Sequence, residues 1–93
     1  SNDLIPDVFG VSDLYPNPFN PSTSININVP HMEMVDIRVY DINGSIVDVV
    51  YSDFLSAGFH TFNWNASKFT SGIYFIQVKT NDFNKVMKSI LIK

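Results

Sequence analysis

Cysteine is missing from this 93-residue chain altogether, which excludes disulfide bridges and thiolate metal sites together and leaves packing alone to hold a small core. The absence says little about compartment, since a secreted bacterial domain can dispense with disulfides. Basic residues are scarce: six Lys and Arg stand against nine Asp and Glu, for a net charge of −3, and no run of either sign occurs. Such a chain offers no electrostatic footprint for a polyanionic backbone, so nucleic acid is not expected as a partner. Long hydrophobic runs are lacking too. No stretch approaches the roughly 20 apolar residues of a membrane span, and the start has neither the basic residues nor the apolar run of a signal peptide, so no direct membrane insertion is expected. The opening Ser1-Asn2 fits a tag remnant, and the abrupt start fits a domain cut from a longer chain. Finally, no window of ten or more positions shows the three-to-four-residue apolar spacing of an amphipathic helix.

What is present is apolar and aromatic. Hydrophobic residues make up 45% and aromatics 14% of the chain, including eight Phe and four Tyr; that is too apolar for a disordered tail. A chain this short buries only roughly 60–65% of its unfolded surface, which leaves one core and a thin stability margin.

From Ser22 onward the apolar residues recur at every second position, the period that puts them on one face of a pleated strand. Ile25, Ile27 and Val29 alternate with Ser24, Asn26 and Asn28 until Pro30 ends the run; Val35, Ile37 and Val39 alternate with Asp36, Arg38 and Tyr40. Asn43-Gly44 follows, a dipeptide that accepts the positive φ angles of a type I′ hairpin, so the chain is expected to fold back into Ser45–Tyr51. That third strand is apolar on both faces except at Asp48, and its buried side is not legible. After the Ser56-Ala57-Gly58 turn, His60, Phe62 and Trp64 share a face, with Trp64 the expected centre of the core. A polar loop over 65–72 leads to Ile73–Thr80, then an Asn81-Asp82 turn and a closing strand, Val86–Lys93, with lysine on both flanks. Short strands at near-regular intervals predict an all-β, immunoglobulin-like antiparallel sandwich of about six to seven strands. Pro6, Pro16, Pro18 and Pro21 withhold backbone donors from a sheet, so the first twenty residues read as an extended linker with at most an edge strand. The reading is a linker over 1–13 and a sandwich over 14–93.

Chemistry-bearing residues are sparse. The only histidines are His31, an exposed loop residue by its place after Pro30, and His60, which suits a hydrogen-bonded structural role near a strand start. Asp36, Asp41, Asp48, Asp53 and Asp82 are scattered singly, outside the spacing of a calcium loop; Asp41 and Asn43 read as turn formers rather than cation ligands. Asn43-Gly44-Ser45 and Asn65-Ala66-Ser67 match the glycosylation sequon, which carries no weight as a common chance match. No catalytic residue, metal site or cofactor is expected, and an enzyme ranks last among the function classes.

The distinctive segment is Tyr15-Pro16-Asn17-Pro18-Phe19-Asn20-Pro21-Ser22-Thr23. Its prolines lock φ and push preceding residues toward extended geometry, while Asn17 and Asn20 can bond nearby backbone. The expected product is a rigid lead-in whose Tyr15 and Phe19 cap the open end of the sandwich, with partner contact the second reading.

This segment, with Val39–Val47 (VYDINGSIV), Ala57–Trp64 (AGFHTFNW), Ser71–Thr80 (SGIYFIQVKT) and the closing KSILIK, resembles the C-terminal sorting domains of the type IX secretion system in Bacteroidetes and related phyla, of type A. Flagellar-hook-capping-like immunoglobulin domains are similar over the same stretch. The resemblance implies an immunoglobulin-like fold attached to an N-terminal cargo domain in the same chain. It implies passage through the periplasm, recognition by the outer-membrane translocon, and secretion or display at the cell surface. A sortase of that system would remove the domain in a linker upstream of Tyr15 and attach the cargo to a surface lipopolysaccharide. Gly44, Gly58 and Gly72 would keep the family's turns, and the strand from Lys88 to Lys93 matches the part that carries much of the signal. Ser45 departs from the pattern, standing where the family often has Arg or Lys.

The candidate recognition residues are therefore Pro16, Asn17, Pro18, Phe19, Asn20 and Pro21 in the leading segment, with Lys88, Ile90, Leu91, Ile92 and Lys93 at the close. If the last strand lies at a sheet edge, its unpaired backbone offers a template for strand addition, and its lysines suit an acidic receptor. The alternative is an accessory binding module for carbohydrate or protein, using an exposed aromatic platform for which Tyr40, Tyr51 and Phe54 are the candidates.

Overall fold

The computed structural model describes residues 5–93; the Ser1-Asn2 pair lies outside the described residues. Seven strands run in order, β1 (Gly10–Val11), β2 (Ser22–Val29), β3 (Glu33–Tyr40), β4 (Ile46–Leu55), β5 (Gly58–Asn65), β6 (Gly72–Lys79) and β7 (Asn84–Leu91), with no helix among the described residues. They form a three-stranded sheet, β1-β2-β5, and a four-stranded sheet, β4-β3-β6-β7. Every pairing is antiparallel, and β2–β5 and β3–β6 are the non-sequential neighbours that make the arrangement an immunoglobulin-like sandwich. β1 is the edge strand that the proline-rich start allowed.

The alternation sets the core. Ile25, Ile27 and Val29 of β2 face Val35, Ile37 and Val39 of β3, with Ile76 and Val78 beside these on β6, and all are fully buried, while their neighbours in sequence point outward. β4 resolves the strand whose faces were unreadable. Its register to β3 slips twice: Ile37 pairs with Tyr51 but Arg38 with Val49, and Val39 pairs with Asp48 but Tyr40 with Ile46. Val50 and Val47 are thus bulge residues, and both pack against the core. Each extra residue re-aims the ones after it, so the strand buries side chains on no fixed period and turns Asp48 toward the other sheet.

The β3–β4 hairpin sits where Asn43-Gly44 placed it, but its turn is of another type. Asn43 has a negative φ and Gly44 alone is positive, at 82°; the Gly44 amide donates to the Asp41 carbonyl and the Asp41 amide to the Ser45 carbonyl, both at 3.0 Å. That is a three-residue loop closed by a left-handed glycine, whereas type I′ needs positive φ at both central residues. Asp41 drives the choice: its Oδ1 accepts from the Asn43 and Ser45 amides at 2.9 and 3.1 Å, the turn-forming role expected of it. Gly58 and Gly72 open β5 and β6, also with positive φ.

Register defines two poles. One gathers the start of β2, the hairpin at Asp41–Ser45, the end of β5, the start of β6 and the end of β7; the other gathers Val29, Leu55, Gly58 and Asn84. β1 begins beside Asn28, so the chain comes in near the second pole and runs along the sandwich to reach the first. Trp64 is buried, but it lies toward the first pole rather than at the centre of the core.

Candidate functional site

The proline segment closes the first pole. Proline has no N–H to leave unpaired, so the chain can cross the open end of two sheets with few donors to strand, and several of the groups that remain are paired. Tyr15 exchanges backbone bonds with Ser24 at 3.1 and 2.8 Å. The buried Thr23 hydroxyl donates to the Pro16 carbonyl at 2.7 Å, and the Ala66 amide to the Pro21 carbonyl at 2.8 Å.

Two residues then tie this segment to β7, the last strand of its sheet. The Phe19 amide donates to the Ile90 carbonyl at 2.9 Å and the Ile92 amide to the Phe19 carbonyl at 3.0 Å. One step back, the Asn17 carboxamide donates to the Lys88 carbonyl at 2.9 Å and accepts from the Ile90 amide at 3.0 Å. Only a side-chain amide offers one donor and one acceptor at that spacing, so Asn17 stands in for a peptide group where Pro16 and Pro18 supply none. The idea of a free edge for strand addition is corrected here: between Lys88 and Ile92 the outward backbone of β7 is already taken by Asn17 and Phe19.

Beneath this clasp lies a ring cluster. Phe19 is 3% exposed and meets Trp64 at 5.5 Å between centroids; Trp64 also meets Tyr74 at 5.5 Å and Phe69 at 5.7 Å. Such tilted and edge-on pairs gain beyond their area burial. The two polar tips are satisfied, the Trp64 indole N–H by Asp48 Oδ2 at 2.9 Å and the Tyr74 hydroxyl by the Thr70 carbonyl at 2.7 Å. Tyr15, expected to share the capping with Phe19, does not: its ring is 79% exposed.

The candidate residues, drawn from the two ends of the sequence, thus meet at one pole, in two kinds. Phe19 and Leu91 are core side chains and are not available to a partner. Pro16, Asn17, Pro18, Asn20, Pro21, Lys88, Ile92 and Lys93 are exposed, and Ile90 is half-buried. Lys93 folds back, its amide donating to Ser71 Oγ at 3.0 Å and its Nζ to the Ser67 carbonyl. Lys68, near Phe69 with its Nζ 5.5 Å from the ring centroid, joins Lys88 and Lys93 at this pole, where Asp41 of the hairpin and Asp48 on Trp64 also lie, so the pole carries charges of both signs. Sequence reasoning missed Thr23, Asp48 and Lys68; only Thr23 carried a sign, its place in the inward register of β2.

The other candidates disperse. His60 Nε2 lies 2.8 Å from the Ser56 carbonyl, a structural bond, and exposed His31 stands 3.7 Å from Glu33. Tyr40 and Phe54 sit at opposite ends of one outer face, while Tyr51 points inward onto Phe62 at 4.9 Å, so the three build no platform. Among the described residues no cluster of three His, Asp or Glu is placed to hold a metal ion.

The fold is an immunoglobulin-like sandwich with one pole closed by the proline segment and the last strand. The family model of the secretion system C-terminal sorting domain matches residues 13–93, and the chain belongs to that family, which is not an enzyme family. No curated protein matches the chain. A domain of this family is a sorting signal for type IX secretion, and so implies a cargo protein that crosses the periplasm to be secreted or held at the cell surface.

Proposed function

We propose that the clasped pole is the surface by which the outer-membrane translocon of the type IX system recognises this domain, and that a sortase then removes the domain from its cargo. The observation that carries the reading is the convergence of the proline segment and the last strand, joined through Asn17 and Phe19, at the pole far from where β1 begins. A passenger held at the β1 end leaves this pole unobstructed. Lys88 and Lys93, both exposed on the β7 side of the pole, are the groups that would meet an acidic receptor surface, and charged rims steer encounter more than they add affinity.

In this reading the residues before Gly10 join the cargo to the sandwich, whose first strand, β1, lies inside the stretch the sequence suggested as linker. Gly10–Val11 is paired to β2, so a protease that needs extended, unpaired chain acts before Gly10, and the cut leaves the sandwich whole. A reporter fused to residues 1–93 in a type IX-competent host is expected in the medium or on the surface; retention in the periplasm with the domain folded would overturn the reading. Deleting Ile90–Lys93 is a poor test, because it also removes core residue Leu91. Substitutions confined to Lys88, Ile92 and Lys93 separate recognition from folding.

A further inference from the structure

The two outer faces of the sandwich differ in chemistry. The four-stranded sheet presents Asp36, Arg38, Lys79 and Lys88. On the three-stranded sheet no outward-facing residue of β1, β2 or β5 carries a charge, although surfaces of small domains ordinarily intersperse both signs.

Pairing register lays this second face out as a grid. In one row Asn28 lies opposite Phe59, and in the next Asn26 lies opposite Thr61. In the third row Ser24 is flanked by Asn63 on β5 and by Tyr15 through its bridge. Antiparallel partners project to the same side of a sheet, so Tyr15 and Phe59 stand at diagonal corners, 79% and 61% exposed, with amides and hydroxyls between them. Rows are about 7 Å and strands about 5 Å apart, so the grid spans roughly 14 by 10 Å. Thr61 donates to Asn26 Oδ1 at 2.8 Å, which fixes the oxygen end of that exposed amide. Ser24, Asn28 and Asn63 make no side-chain hydrogen bond among the described residues, leaving both donors and acceptors open.

We propose that this face binds a neutral oligosaccharide, about two or three sugar rings long. Sugars present hydroxyls that donate and accept at once, and apolar C–H faces that lie against aromatic rings; a flat array of amides and hydroxyls between two exposed rings complements both. Polyanions and acidic peptides need cations, which the face lacks. An apolar partner needs a continuous apolar patch, and here the two rings are separated by polar rows. The face adjoins the clasped pole at Tyr15 but includes none of its lysines, and it does not depend on the sorting reading.

The test is retention of the chain in native gels containing soluble neutral polysaccharides (a β-glucan, a mannan and a galactan), beside an array of neutral and acidic oligosaccharides. At least one neutral glycan is expected to retain the chain. Tyr15→Ala and Phe59→Ala should each weaken retention roughly fivefold to tenfold, the scale of one aromatic contact, and the double variant should abolish it. Both rings are exposed, so the variants are expected to melt with the wild type. No retention by any neutral glycan overturns the proposal, as does retention unchanged in the double variant. Binding confined to acidic glycans and lost in salt overturns it too, by pointing to the lysines.

Discussion

Asn17 accepts the amide hydrogen of Ile90 on its side-chain oxygen at 3.0 Å, across 73 residues of chain. The nitrogen of the same carboxamide serves the Lys88 carbonyl, so one side chain does for β7 what a neighbouring strand would do. Asn17→Ala should destabilise the domain by about 1–2 kcal/mol, two exposed hydrogen bonds at the modest net value of each. Asn17→Asp should do no better, since it keeps the acceptor but turns a carboxylate toward the Lys88 carbonyl. Urea unfolding gives the magnitude, and amide exchange at Ile90 gives the location; unchanged exchange at Ile90 in Asn17→Ala would contradict the assignment.

Phe19 seats the clasp. Phe19→Ala removes a buried ring and should cost about 3–4 kcal/mol, a large share of the roughly 5–15 kcal/mol that holds a small domain together. Phe19→Leu should cost clearly less, because it refills part of the space. Since Phe19 lies against Trp64, the Ala variant should also shift tryptophan fluorescence to the red, and an unshifted spectrum in a destabilised protein would place the loss elsewhere.

The bulges of β4 exist in the structure to a visible end: they bring Asp48 to the Trp64 indole. Trp64→Phe and Asp48→Ala, combined in a double-mutant cycle, should show a coupling of about 1 kcal/mol, near the low end for a charge-assisted bond because Asp48 is partly exposed. Additive effects would mean that the two residues stabilise the pole independently.

Turn chemistry separates the glycines. Gly44→Ala forces a side chain into a φ of 82° and should cost about 1 kcal/mol. At Gly10 an added Cβ would meet only the Asn28 side-chain nitrogen at 3.6 Å, so Gly10→Ala should stay within about 0.5 kcal/mol of the wild type. Paired thermal melts decide this.

Charge at the pole should matter to export and not to folding. Reversing Lys88 and Lys93 to Glu should lower export of a fused reporter several-fold with a shift of Tm below roughly 3 °C, whereas Lys79→Glu at the other pole should leave export unchanged. An equal loss from Lys79→Glu would mean that overall charge, not this pole, is read.

Much of this was legible beforehand, for definite reasons. Strict alternation in β2 and β3 named their buried residues because a pleated strand shows successive side chains to opposite faces. It failed at β4 because Val47 and Val50 each add a residue to one strand and shift the phase. Asn43-Gly44 marked where the chain reverses but not how, since Asp41 captures two amides and moves the positive φ to Gly44 alone. Tyr15 and Phe19 looked alike as aromatic neighbours of proline, yet an even spacing on an irregular segment does not say which ring turns inward; only the packing against Trp64 does.

By itself the sequence determined that the chain builds strands, which side β2 and β3 bury, and that the leading prolines cannot join a ladder as donors. Local backbone preference and side-chain period are enough for that. Which strands pair, and that a segment near residue 17 completes a strand near residue 90, was decided only by the tertiary structure. A period of two tells each strand which face to bury but never which partner to bury it with, and that choice placed the proline segment and the last lysines at one pole.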